Sequence, residues 1–380
     1  MTNFSRSSVL KGAVIALALA TFAGCAPKDG VKEFEQAKAA FELADYKKAE
    51  KFFLKNLVYA PENVEAFVYL ARIGLELGEI DSAKEWYGKA AAYAGEDLDV
   101  KLLGAQILYR AKDYENSSRL FREVAVNEKN DIALRAQAFA GLGVVEMTAN
   151  NFHLARIAFL RAIRLDRKCS SAWYHLGLLY RDSFGYSEAA LDQFNVYARL
   201  DDMADVRVQK VRRAVIPGIE DTIRQTTASI PGASKRDSAA ASTALVRGEA
   251  SWKKGLYKTA RQAYQEALKA DPLSFKAAEA LANAWLKTDT TKSGQEKAFE
   301  NLKIACRLSP SSVKTFLKVG QLAVKLGYNA QSVEIYSRAV AANPTSIDAL
   351  DGLIRSLRKN GKKSDANAYQ QYRDTLARRK

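Results

Sequence analysis

The chain has 380 residues, 58 of them Lys or Arg and 43 Asp or Glu, for a formal net charge of +15. Its 21 Gly and 7 Pro are too few for a collagen-like or low-complexity protein, and a 48% hydrophobic share suits a sizeable globular core. Two His (His153, His175) and three Cys (Cys25, Cys169, Cys306) exclude zinc-finger spacing, an HExxH metalloprotease helix and a disulfide framework.

Residues 1–24 read as an export signal. Arg6 and Lys11 form a short basic region, and Gly12 to Gly24 is an uncharged run of 13 residues. That run is too short for a membrane span, which needs about 20 apolar residues, and has the proportions of a secretory signal core. Phe22-Ala23-Gly24-Cys25 follows, and it resembles the lipobox of bacterial lipoproteins, with Phe22 where Leu is usual. The resemblance implies cleavage before Cys25, acylation of that Cys and stable anchoring by two or more acyl chains. Ala26, where an Asp favours inner-membrane retention, implies sorting to the outer membrane facing the periplasm, the alternatives being an inner-membrane or cell-surface lipoprotein. Residues 25–30 are a tether of at most about 18 Å from lipid to folded body.

From residue 31 onward one pattern recurs with a period near 34. A small residue returns at Ala37, Ala71, Ala105, Gly143, Gly177, Gly248, Ala282 and Gly320, and a second at Ala49, Ala83, Ser117, Ala155, Ala190, Ala260, Ala298 and Ser332. A bulky residue follows at Phe53, Tyr87, Phe121, Phe159, Phe194, Tyr264, Leu302 and Tyr336. Antiparallel helices approach closely where facing residues are small, and bulky rings then fill the space between neighbouring pairs. The pattern resembles the tetratricopeptide repeat, best at Trp173, Leu176, Gly177 and Tyr180, with Pro61, Pro272, Pro310 and Pro344 where that motif ends its second helix. The fold expected is all-α, an α-solenoid of about nine helix–turn–helix pairs plus one degenerate pair.

The resemblance divides the chain into an N-terminal array (31–202, five repeats), a C-terminal array (241–346, three repeats) and a capping pair (347–380). Between the arrays, the step from Phe194 to Tyr264 spans about two periods. Residues 203–240 are therefore expected to hold a degenerate helix pair, broken at Pro217-Gly218 and followed by a loop at Pro231–Ser238.

No nucleotide-binding loop occurs, and neither His stands at metal spacing from another ligand, so the sequence argues for a protein that is not an enzyme and needs no metal or cofactor. Cys169 and Cys306 lie repeats apart and read as two reduced thiols. Charge is uneven: residues 25–202 hold 24 basic and 27 acidic residues, residues 203–380 hold 32 and 16. In proteins with this repeat, first helices line a concave groove. Carried over by motif position, the groove-lining residues here are Arg72, Gln106, Tyr109, Tyr174, Leu178 and Arg181 in the first array and Lys253, Lys276, Asn283, Lys287, Lys314, Lys318, Gln321 and Lys325 in the second, extended by Arg355 and Arg358. Lys314 and Lys318 resemble half of a carboxylate clamp, but Leu245 and Glu249 stand where its Lys and Asn belong, which leaves a generic basic groove.

The expected function is a lipid-anchored scaffold that binds protein or peptide partners with acidic segments in envelope complexes of the pilus, secretion or outer-membrane kind, a pathway suggested by family analogy. The alternative is an envelope binder of anionic polymer (lipopolysaccharide, wall polymer or DNA) through the basic half. DNA is the least favoured polymer, because the basic groove has few aromatics beyond Trp252.

Overall fold

The computed structural model describes residues 29–129, 131–200 and 205–378; the leader, Cys25 and the start of the tether lie outside them. All regular structure among the described residues is helical. Residues 29–175 with Leu200 form one compact unit, and Leu176–Arg199 with residues 205–378 form another.

The first unit is a run of hairpins: α1 (Asp29–Glu42) with α2 (Tyr46–Tyr59), α3 (Val64–Leu77) with α4 (Ile80–Ala94), α5 (Leu98–Arg110) with α6 (Tyr114–Val126), and α7 (Ile132–Thr148) with α8 (Phe152–Leu165). Helix α9 (Ser170–Leu178) begins in this unit and continues into the second, where a π turn (Leu179–Phe184) and α10 (Ser187–Leu200) follow. The second unit then holds α11 (Val206–Lys210), a π turn (Val211–Val215) and α12 (Ile216–Ala228). Its remaining hairpins are α13 (Ser238–Lys253) with α14 (Tyr257–Ala270), α15 (Phe275–Thr288) with α16 (Lys292–Leu308), α17 (Val313–Leu326) with α18 (Asn329–Ala342), and α19 (Ile347–Lys359) with α20 (Lys363–Ala377). Eight hairpins within the two units, with helices for all other regular structure among the described residues, fit the expected all-α solenoid.

The small-and-bulky register works by direct contact. A methyl placed on Gly143 of α7 would come within 2.4 Å of the Phe159 ring on α8, one on Gly248 within 2.4 Å of Tyr264, and one on Gly320 within 2.6 Å of Tyr336. Phe53, Phe159 and Phe194 are fully buried. Burying such a ring contributes about 2–3 kcal/mol, so hairpins such as α7–α8, α13–α14 and α17–α18 are held by an aromatic seated where the partner helix carries Gly. Polar caps begin the helices: Asp45, Asn63, Asp113, Asp237, Ser274 and Ser346 each accept a bond from a backbone N–H of the first turn. The turn inside a hairpin places a residue at positive φ, Gly at 78, 255 and 327 but Ala44, Lys112 and Asn150 elsewhere.

Departures from the 34-residue step have local causes. Helices α7 and α16, with 17 residues each, are longer than most of their counterparts and absorb the longer steps to Phe159 and Leu302. The 35-residue step from Phe159 to Phe194 contains the π turn at Leu179–Phe184, which takes one residue more than an α turn and closes at Gly185, φ +65°.

Within the span expected to hold a degenerate helix pair, the described residues from 205 onward differ from that expectation. Pro217 and Gly218 do not break a helix pair; residues 206–228 form one helical run. The π turn at Val211–Val215 stands just before the proline, and Ile216 N–H donates to the Val211 carbonyl, so the ladder has changed register where Pro217 lacks a donor. The run is tied down far along the chain: Arg307 of α16 donates to the Thr226 carbonyl at 2.8 Å and to Ser229 Oγ at 3.1 Å. The segment expected as a loop, Pro231–Ser238, contains a short 3-10 turn at Ala233–Lys235 and leads into α13.

Candidate partner-binding surfaces

In the second unit, α13, α14 and α15 enclose an open depression of about 490 Å³ lined by Trp252, Tyr264, Ala280, Asn283, Leu286 and Lys287. Two expected groove residues, Asn283 and Lys287, meet here because they are one helical turn apart on α15. The wall they join is aromatic: Trp252 packs edge-on against Tyr257 at 4.9 Å, and the Lys287 ammonium lies 5.1 Å from the Tyr257 ring centre. Trp285, on the same helix, carries two cations near its ring centre, Arg261 at 4.0 Å and Lys297 at 4.5 Å. Arg261 is fixed in that pose by a 2.8 Å bond to Thr288 Oγ1. Trp285, Tyr257, Arg261 and Lys297 were not singled out from the sequence, although tryptophan beside lysine on a first helix was a usable signal.

The other basic residues divide. Lys318 donates to Glu279 on α15 at 2.8 Å, so its charge is committed within the unit and does not add to a uniformly positive surface. The pair joins neighbouring first helices through residues 39 apart, so one lysine of the expected generic basic groove is neutralised from within. Lys253, Lys276, Lys314, Lys325 and Arg358 are exposed and make no ion pair among the described residues. Arg355 is exposed and reaches the Tyr336 hydroxyl, opposing the rise in phenol pKa that burial imposes on Tyr336. Gln321, on α17, is exposed.

The first-unit residues are more self-occupied. Arg72 lies over the Tyr69 ring at 5.9 Å, near Asp99, whose carboxyl is pushed up by burial and by Asp97. Tyr109 shares a 3.1 Å hydrogen bond with Thr148 and packs on Tyr114. Tyr174 meets His175 edge-on at 5.2 Å, and the buried His175 ring stacks on Phe159 at 6.0 Å, which makes this histidine part of the core. Arg181 belongs to the second unit, where the π turn places it in a bidentate pair with Asp182. It is therefore not assembled with Arg72 and Tyr109 into one patch of the first unit.

Cys169 and Cys306 are free and buried, and burial pushes each thiol up to about 12. Among the described residues no cluster of His, Cys, Asp and Glu could hold a metal ion, and no helix is long and apolar enough to cross a membrane.

The chain is similar in part to several known proteins. Human Superkiller complex protein 3 is 25% identical over 330 residues, covering 84% of this chain, which spans only about 20% of that protein. Superkiller protein 3 of Schizosaccharomyces pombe is 27% identical over 185 residues, 45% of this chain and 13% of that protein. Among solved structures, pilF of Pseudomonas aeruginosa superposes with a TM-score of 0.40 at 17% identity, over 67% of this chain and 97% of that one. PilW, a type IV pilus biogenesis factor, does so with a TM-score of 0.44 at 17% identity, over 54% and 96%. The family model "Tetratricopeptide repeat" matches residues 34–97, 141–204 and 235–293. These three segments, which carry the small-and-bulky register, are similar to tetratricopeptide repeats.

Proposed function

We propose that this protein is a lipid-anchored, non-catalytic scaffold of the bacterial envelope, and that its second unit holds an acidic segment of a partner protein. Tetratricopeptide repeats serve protein–protein interaction. The observation that carries the specific reading is the depression on α13–α15, where apolar Trp252 and Leu286 flank the amide of Asn283 and the ammonium of Lys287. Apolar walls with a few convergent polar groups suit a peptide side chain followed by a carboxylate. The Lys318–Glu279 pair interrupts the positive stripe a uniform polymer would need, which favours a peptide over lipopolysaccharide, wall polymer or DNA. The anchor rests on Cys25, and the envelope pathway on analogy alone.

The test is capture from the producing cell's membranes with two variants. Lys287→Glu and the triple change Lys314→Glu, Lys318→Glu, Lys325→Glu should each remove a partner bound by the second unit and leave partners of the first unit in place. An unchanged set of partners with both variants refutes the reading. A partner lost steeply and uniformly with salt, whatever its sequence, points instead to polymer binding.

A further inference from the structure

The outward face of α2 differs from the rest of the first unit. On a helical wheel, Leu54, Lys47, Val58, Lys51, Lys55, Lys48 and Tyr59 fall in succession on one arc, and all seven are exposed. Ala49, Phe53 and Asn56 face the core on the other side. Val58 is 75%, Tyr59 51% and Leu54 42% exposed. The arc holds four lysines and no acid, in a half of the chain where acidic residues outnumber basic ones. Lys55 pairs with the buried Glu33, lowering that carboxyl's pKa, whereas the ammonium groups of Lys47, Lys48 and Lys51 have no ion-pair partner among the described residues.

This face stands beside the point where the chain enters the fold. A methyl on Gly30 would lie 3.0 Å from Tyr59 Cβ, and the Asn56 side-chain amide donates to the Gly30 carbonyl at 2.6 Å. The first turn of α1 is thereby fastened to the last turn of α2, and exposed Val31 adds a further apolar side chain at that end. In sequence, Cys25 precedes Asp29 by four residues, so any lipid on it is at most about 18 Å from this end of α2.

We propose that the outer face of α2 is a membrane-contact surface, with Leu54, Val58 and Tyr59 entering the headgroup region and Lys47, Lys48 and Lys51 meeting anionic headgroups. It rests on the anchoring reading for its proximity to lipid, and on its own face for its chemistry. Apolar side chains beside lysines on an exposed face supply the two terms that drive interfacial binding, burial of apolar area and attraction to anionic lipid. Each lysine near an anionic surface strengthens association roughly fivefold, so three together give about a hundredfold. The face then sets which side of the first unit turns toward the bilayer.

The test uses the full-length chain reconstituted into vesicles of phosphatidylcholine alone, or of equal parts phosphatidylcholine and phosphatidylglycerol, doped with a nitroxide lipid. A dye is attached at Val58→Cys and, as a remote control, at Leu256→Cys, an exposed apolar site in the second unit; the parent chain gives the background. The expected result is strong quenching at position 58 in the anionic vesicles, weaker in phosphatidylcholine alone and close to none at position 256. The triple change Lys47→Glu, Lys48→Glu, Lys51→Glu should bring position 58 down to the control level while the protein still pellets with the vesicles. Pelleting without quenching at position 58 overturns the contact surface and leaves the anchor standing. Quenching equal in both vesicles and indifferent to the triple change overturns it too. Protein that stays in the supernatant removes the anchor and the contact together. Protection of position 58 by self-association on light scattering assigns the face to a second copy and overturns the proposal.

Discussion

Replacing Gly143 by Ala tests the packing logic of the whole chain, because two effects of known size oppose each other there. Gly143 lies inside α7, and exchanging an interior helical Gly for Ala gains about 1 kcal/mol of helix propensity. The added carbon, however, would stand 2.4 Å from Phe159 Cε1 and 2.6 Å from Cδ1. Carbon atoms rest at about 3.5–4.0 Å, so the ring must retreat by about 1 Å. Phe159 is fully buried and has no solvent to swing into. Overpacking of this kind costs about 1–3 kcal/mol and outweighs the propensity gain, leaving a net loss of up to about 2 kcal/mol. Gly88 is the internal control: it is exposed within α4, with nothing within 4 Å of the added carbon, so Gly88→Ala should stabilise by about 1 kcal/mol. Repeat arrays need not unfold in one step, so the assay is hydrogen exchange read peptide by peptide over α7 and α8 for the first variant and over α3 and α4 for the second, supported by urea titration. Opening should become easier in the first and harder in the second. Adding Phe159→Leu to Gly143→Ala should cost less than the two changes summed, because the smaller side chain removes the clash. Equal stabilisation by Gly143→Ala and Gly88→Ala would refute the register argument.

Lys112 holds the α5–α6 turn at φ +65°, where an L side chain is disfavoured, so Lys112→Gly should stabilise the first unit by about 0.5–1 kcal/mol, measured as a higher urea midpoint at unchanged slope. Cys169 and Cys306 should resist a neutral disulfide reagent at pH 8 in the folded protein and react in denaturant. Each thiol keeps its proton to about pH 12 in the fold against 9.0 as its ordinary value, so above pH 9 the unfolded chain holds fewer protons than the folded one. Stability should therefore be fully present below pH 9 and fall above it, by at most about 1.4 kcal/mol per pH unit for each thiol; a flat stability curve from pH 9 to 11 would contradict their burial.

The sequence by itself determined the hairpins. Gly143 with Phe159 and Gly320 with Tyr336 are contacts across one turn, and a period near 34 written in small and bulky residues can be satisfied only by stacking such pairs. The capping Asp and Ser residues and the glycines at positive φ are set by the same short-range chain geometry. What only the tertiary structure decided lies between repeats. The commitment of Lys318 to Glu279, the tether from Arg307 to Thr226 and the two cations at the Trp285 ring join residues from different helices, at distances no motif position encodes. The continuous helix through Pro217 is of the same kind, since sequence treats an interior proline as a break unless the preceding turn shifts its hydrogen-bond register, as the π turn at Val211–Val215 does here. Local spacing fixes what a pair of helices must be; the charge and shape of the surface they present depend on which neighbours consume which side chains.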